Sequence, residues 1–125
     1  MKYTFETEKK VDEAVASLEK ILPDYGFGLQ YIHNPQQKLA DKGFKLDNEV
    51  KILDICNAKI AHDIFMQDMS ISCAMPCKIA VYSENNQTFI VLNSLVQIID
   101  DLNPDLIEIA QEAQDMMIEM IEEVI

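Results

Sequence analysis

Apolar and polar residues alternate in several short stretches of the chain, as they do in β-strands. In residues 2–6 the alternation places Tyr3 and Phe5 on one face. Residues 27–33 alternate in the same way, so that Phe27, Leu29, Tyr31 and His33 should share one face of a strand that ends at Asn34–Pro35. Both stretches predict strands.

Three further stretches are rich in β-branched and aromatic residues. Residues 50–56 are largely apolar and predict a central strand, while residues 78–82 and 88–92 predict two more. Residues 84–87, Glu-Asn-Asn-Gln, have the composition of a hairpin turn. The pattern therefore predicts about five strands in all.

Elsewhere the apolar residues recur every three or four positions, which is the spacing of a helix. One such stretch has Thr7 as its predicted N-cap and ends near Pro23. A shorter stretch follows Asn57. Residues 36–42 predict a helical turn, and no element is predicted for residues 93–102. The longest repeat begins at Asn103–Pro104 and predicts a final helix of about 33 Å.

These elements predict an α+β fold in the order β-α-β-β-α-β-β-α. We expect a mostly antiparallel sheet of about five strands, helices packed on one face, and a long C-terminal helix. The 125 residues have the length of one domain, so residues 1–125 are predicted to form a single domain.

The final helix presents apolar residues at heptad spacing. They are Leu106, Ala110, Ala113, Met117, Met120 and Val124. Further apolar residues widen this surface beyond one seam, which indicates that one face covers the sheet and another contacts a second copy. A homodimer is therefore predicted; the alternative is a helix packed wholly within its own domain.

The charge of the chain excludes several classes of partner. Ten basic and 22 acidic residues give a net charge of −12, and the basic residues are all lysines at or before Lys78. Without arginine, and with an acidic surface, nucleic acid and anionic membranes are poor partners. The chain has no long apolar run and no secretory signal at its start, so we expect a soluble cytoplasmic protein.

His33, Cys56 and Cys77 each lie where a predicted strand begins or ends. An imidazole and two thiolates are ligands that zinc and copper(I) favour, and Asp54, His62, Cys73 or water could supply a fourth. Only Cys73 and Cys77 form a close pair, and the three cysteines argue against a disulfide framework. The alternative is that Cys56 is simply a core residue.

Cys77 is also a candidate catalytic residue. Pro76 fixes its approach, and the ammonium of Lys78 could lower the thiol pKa and favour the thiolate. This would suit a redox thiol, a persulfide carrier or a nucleophile with His33 as its base. The alternative is that Pro76-Cys77 marks a tight entry into a strand.

Three short segments carry a resemblance to a known family. Tyr31–His33, Ile55–Asn57 and Met75–Tyr82 together resemble the domain of unknown function family 302, a prokaryotic family, over about residues 3–92. The resemblance implies an α+β domain that is commonly dimeric and has no established activity. The chain differs at Ala58, where proline is frequent, and at Met75, where leucine is usual.

These features favour a binding protein over an enzyme. The preferred hypothesis is a dimeric ligand-binding domain in which His33, Cys56 and Cys77 hold a soft metal or a sulfur-containing ligand. The alternatives are a thiol enzyme or sulfur carrier that acts through Cys77, and an interaction module that uses the acidic C-terminal helix. The glycines form no phosphate-binding loop, which disfavours nucleotide cofactors.

Overall fold

The protein contains one five-stranded sheet, seen in a computed structural model that describes all residues 1–125. The strands are β1 (Lys2–Thr7), β2 (Gly28–His33), β3 (Val50–Cys56), β4 (Cys77–Glu84) and β5 (Gln87–Asn93). Every neighbouring pair is antiparallel, and the order across the sheet is β1-β5-β4-β3-β2. The predicted α+β class and antiparallel sheet are confirmed.

Five α-helices and three short 3₁₀ helices complete the chain. The α-helices are α1 (Val11–Ile21), α2 (Pro35–Asp41), α3 (Ala58–Gln67), α4 (Leu95–Leu102) and α5 (Ile107–Val124); the 3₁₀ helices are Leu22–Tyr25, Met69–Ala74 and Pro104–Leu106. No helix is both long enough and apolar enough to cross a membrane.

Polar residues set the boundaries of several elements. Asn57 caps α3 as predicted, since its Oδ1 accepts the backbone N–H of Ile60 at 3.1 Å. Thr7, however, ends β1, and α1 begins only after Lys10. At the β4–β5 turn Asn85 and Asn86 have φ of 52° and 63°, the left-handed conformation that a tight hairpin turn requires.

Helix α4 was not predicted. Ser94 caps it, because its hydroxyl accepts the backbone N–H of Gln97 at 3.2 Å. The 3₁₀ helix Pro104–Leu106 then separates it from α5, which has 18 residues and is shorter than predicted.

The core lies between the helices and one face of the sheet. It is a cluster of 24 buried residues to which β3, β4 and β5 contribute Leu53, Ile55, Ile79, Val81, Ile90 and Leu92. All six heptad residues of the C-terminal segment, from Leu106 to Val124, are buried in this same cluster. The seam therefore fills the core of its own chain, and a second copy stays a prediction.

The opposite face of the sheet, which we call the open face, is half-buried. It presents Ile52 of β3, Ala80 and Tyr82 of β4, and Phe89 and Val91 of β5. The rings of Tyr82 and Phe89 stack there at 5.4 Å between centroids. Helix α2 lies beside β3 near the edge of this face, whereas α1, α3, α4 and α5 contribute to the core.

Candidate functional site

Three polar side chains from adjacent strands, one carboxylate, one lysine and one histidine, meet on the open face. Asp54 is opposite Lys78 in the β3–β4 register, and the Lys78 Nζ donates to Asp54 Oδ1 at 2.6 Å. His33, at the end of β2, lies diagonally across the sheet, with its Nε2 2.7 Å from Asp54 Oδ2. We call these three residues the Asp54 cluster.

The Asp54 carboxylate is held in its ionised form. Burial, which leaves 12% of the side chain exposed, raises its pKa, but hydrogen bonds from Lys78 and His33 outweigh this effect. The pKa of Asp54 is therefore below its usual value. The ring of Tyr31 meets the ring of His33 edge-on at 4.7 Å, which fixes the imidazole from the side.

A β-bulge places His33 on the open face. In the β2–β3 register Leu29 is opposite Ile55 and Tyr31 is opposite Asp54, so Gln30 is an extra residue. Since Ile55 and Asp54 point to opposite faces, Leu29 and Tyr31 do as well. The prediction that Leu29, Tyr31 and His33 share one face is therefore wrong.

Cys77 faces the core side of the sheet. It is opposite Ile55 in the β3–β4 register, and Lys78, the next residue, points to the open face. Burial, with a smaller contribution from Cys56, raises the pKa of the Cys77 thiol to about 11. This is the reverse of the predicted effect, because the ammonium of Lys78 is bound to Asp54 on the other face.

A cavity of about 290 Å³ adjoins Cys77 and is mostly apolar; its lining comprises Cys73, Ala74, Met75, Pro76, Cys77, Lys78, Leu92, Asn93, Leu95, Ile98 and Met117. The end of the 3₁₀ helix Met69–Ala74, the segment that leads into β4, the end of β5, helix α4 and the middle of α5 thus border it. We call it the Cys77 cavity.

The structure does not bring together all three side chains expected to share a site, although Cys56 is near enough to Cys77 to contribute to the raised pKa of its thiol. Cys56 alternates with Asp54 and so lies on the open-face side, whereas Cys77 lies on the core side. His33 is opposite Ile52, four residues from Cys56, which is about 13 Å along a strand. All three cysteines are free, and no group of three or more His, Cys, Asp or Glu residues could hold a metal ion.

Asp54 and Lys78 had different roles in the sequence-based hypothesis, as a metal ligand and as the activator of Cys77. Their direct contact requires the β3–β4 register, which the sequence alone does not provide. The available signal was that each is a charged residue in a largely apolar strand, and that Asp54, if buried there, needs a partner of opposite charge.

An antiparallel sheet with a helical layer on one face and a charged cluster on the other defines a small α+β domain with two separate candidate sites. The chain belongs to the family described as Domain of unknown function DUF302, whose model matches residues 3–124. The resemblance seen in the sequence is thus confirmed, and it extends through α5.

A solved structure shows the same fold. The crystal structure of an uncharacterized conserved protein DUF302 from Bacillus stearothermophilus has a TM-score of 0.95 to this chain at 26% sequence identity, and the alignment covers 99% of this chain and 98% of that one. No curated protein matches the sequence.

Proposed function

We propose that this chain is a small-molecule binding domain whose ligand is neutral, largely apolar and sulfur-containing, and lies in the Cys77 cavity. One observation carries the proposal: four sulfur-bearing residues, Cys73, Met75, Cys77 and Met117, line this one cavity. Thioether and thiol groups are polarizable and adapt to apolar ligands, which favours contacts with another soft atom.

The size of the cavity supports an organic ligand. About 290 Å³ is near the lower end of the range for small-molecule pockets and is about ten times the share of one water molecule in the liquid. A single metal ion would leave most of that space empty. A compact molecule of several non-hydrogen atoms fits better.

The protonation of Cys77 supports a neutral ligand. With a thiol pKa raised to about 11, Cys77 is protonated at pH 7. A metal would have to displace the proton, and a nucleophilic mechanism would need a base, yet His33 lies on the other face. Both the soft-metal site and the thiol enzyme are therefore less favoured.

The homodimer predicted from the C-terminal helix is not needed for this cavity, since all the residues that line the cavity come from one chain. Ile109, Met116 and Ile118 of α5 are only partly buried and are the residues available to a second copy on that helix. Sedimentation equilibrium of the free protein tests this prediction directly.

Binding can be tested with thioanisole as the probe and ethylbenzene as its sulfur-free analogue. We expect saturable shifts of the Met75 and Met117 methyl resonances, with tighter binding of thioanisole. Ala74→Leu fills part of the cavity and should weaken binding at least tenfold, whereas Ala16→Leu, at an exposed position of α1, should not change it.

Equal affinity for both probes would refute the preference for sulfur. Failure of Ala74→Leu to weaken binding would refute the cavity as the site. Stoichiometric copper(I) binding that is lost in Cys77→Ser would favour the soft-metal alternative instead.

A further inference from the structure

A second hollow lies on the open face, beside the Asp54 cluster. It measures about 400 Å³ and is lined by His33, Pro35, Lys38, Leu39, Ile52 and Lys78. Helix α2 forms one wall: Asn34 Oδ1 accepts the backbone N–H of Gln37 at 3.1 Å and so fixes the start of that helix beside β3. We call this site the α2 hollow.

The α2 hollow has a charge unlike that of the rest of the chain. The protein carries a net charge of −12, yet two lysines and a histidine line this site. The carboxylate of Asp54, in the adjacent cluster, is already bound to Lys78 and His33. Lys38 forms no ion pair within the chain, so its charge remains available to a ligand.

The walls between these charges are apolar. Pro35, Leu39 and Ile52 contribute aliphatic surface, and Leu39 is 38% exposed. Lysine side chains add their methylene groups to such walls while the ammonium stays in water. An apolar floor with a cationic rim suits a molecule that has an apolar body and one anionic group.

We propose that the α2 hollow binds a small organic acid, with its carboxylate paired to Lys38 beside Lys78 and its apolar body against Pro35, Leu39 and Ile52. The site lies across the sheet from the Cys77 cavity, so the inference is independent of the function proposed above. Apolar walls favour a carboxylic acid over inorganic phosphate, which has no apolar part to bury.

Benzoate is a suitable probe, because it joins a carboxylate to a compact apolar ring. In an open, solvated hollow its dissociation constant should be on the order of 1 mM. Titration of ¹⁵N-labelled protein should give saturable amide shifts at His33, Lys38 and Ile52. Benzyl alcohol, which lacks the charge, should bind at least fivefold more weakly, and so should inorganic phosphate.

Lys38→Gln should weaken benzoate binding roughly three- to fivefold, as expected for one exposed ion pair. Lys42→Gln is the matched control, because it removes the same charge near the end of α2 from a residue that does not line the hollow. It should change the dissociation constant by less than 1.5-fold. Leu39→Ser should weaken benzoate without changing phosphate.

Several results would overturn the proposal: no saturable shift, an equal effect of Lys38→Gln and Lys42→Gln, or phosphate binding as tightly as benzoate. Ala74→Leu separates the two sites. It should weaken thioanisole binding in the Cys77 cavity at least tenfold and leave benzoate binding unchanged, so failure of one site does not imply failure of the other.

Discussion

Replacing Asp54 with asparagine removes the negative charge of this side chain and nearly preserves its shape. Asp54 accepts bonds at 2.6 and 2.7 Å, and a hydrogen bond to a charged group contributes about 1.5–3 kcal/mol. The net loss in the free energy of unfolding should therefore be closer to the contribution of one such bond than to that of two. Asparagine keeps one acceptor, and Lys78 is 58% exposed, so water can solvate its ammonium.

We therefore expect Asp54→Asn to lower the free energy of unfolding by about 2 kcal/mol at pH 7. For a chain of 125 residues this corresponds to a fall in Tm of about 8 °C. Asp12→Asn is the matched control. It removes a carboxylate that pairs with Lys51 at 3.3 Å but is 83% exposed, so its cost should be below about 0.5 kcal/mol.

The effect should depend on pH in one direction. Because the pKa of Asp54 is lower in the folded than in the unfolded state, its contribution is fully present above the unfolded value of about 3.9. It is lost as the pH falls through the folded pKa. Urea and thermal unfolding, followed by circular dichroism, should show wild type and Asp54→Asn converging at acid pH. A difference below about 0.5 kcal/mol at pH 7, or one that is the same at pH 7 and below pH 3, would refute this reasoning.

Two further predictions concern the core side of the sheet. Iodoacetamide at pH 8 should label the exposed Cys73 at least tenfold faster than Cys77, whose thiol is half-buried and has a pKa raised to about 11; equal rates by peptide mass mapping would contradict the protonated state. Gln114→Leu should cost about 2–3 kcal/mol, because Gln114 Oε1 accepts both the Ser94 hydroxyl and a backbone N–H of α4 at 3.0 Å. Gln111→Leu, on the exposed side of α5, should cost under about 0.5 kcal/mol in the same urea experiment, and a similar cost for both would argue against the buried network.

The elements with a clear period were predictable from the sequence. Strands such as β3 and β4 are rich in apolar and β-branched residues, and α3 begins at an asparagine cap, so local chemistry and packing agree. Helix α4 is not evident from the sequence because its residues 95–102 combine a dense apolar surface with the adjacent acidic pair Asp100 and Asp101, a pattern typical of an exposed stretch. Its cap at Ser94 was the signal that could have identified it.

The candidate sites were less predictable, because they depend on which face a side chain occupies. One extra residue, Gln30, reverses the face of everything that follows it in β2, including His33. No periodicity in so short a strand reveals a bulge. The prediction that His33, Cys56 and Cys77 lie at the ends of strands is confirmed. Whether their side chains meet depends on the strand register and on the face that each occupies, which the sequence does not specify.

The order of strands in the sheet has a consequence for the sequence of events during folding. Strands β2 to β5 form a meander of chain neighbours, whereas β1, the first strand to be synthesised, pairs with β5, the last. A nascent chain in which β5 has not yet emerged thus offers β1 no partner, and even the nearest pair, Thr7 with Thr88, has 80 residues between its members. We expect β1 pairing to be a late step on the ribosome, which leaves Tyr3 and Phe5 exposed to chaperones until β5 emerges.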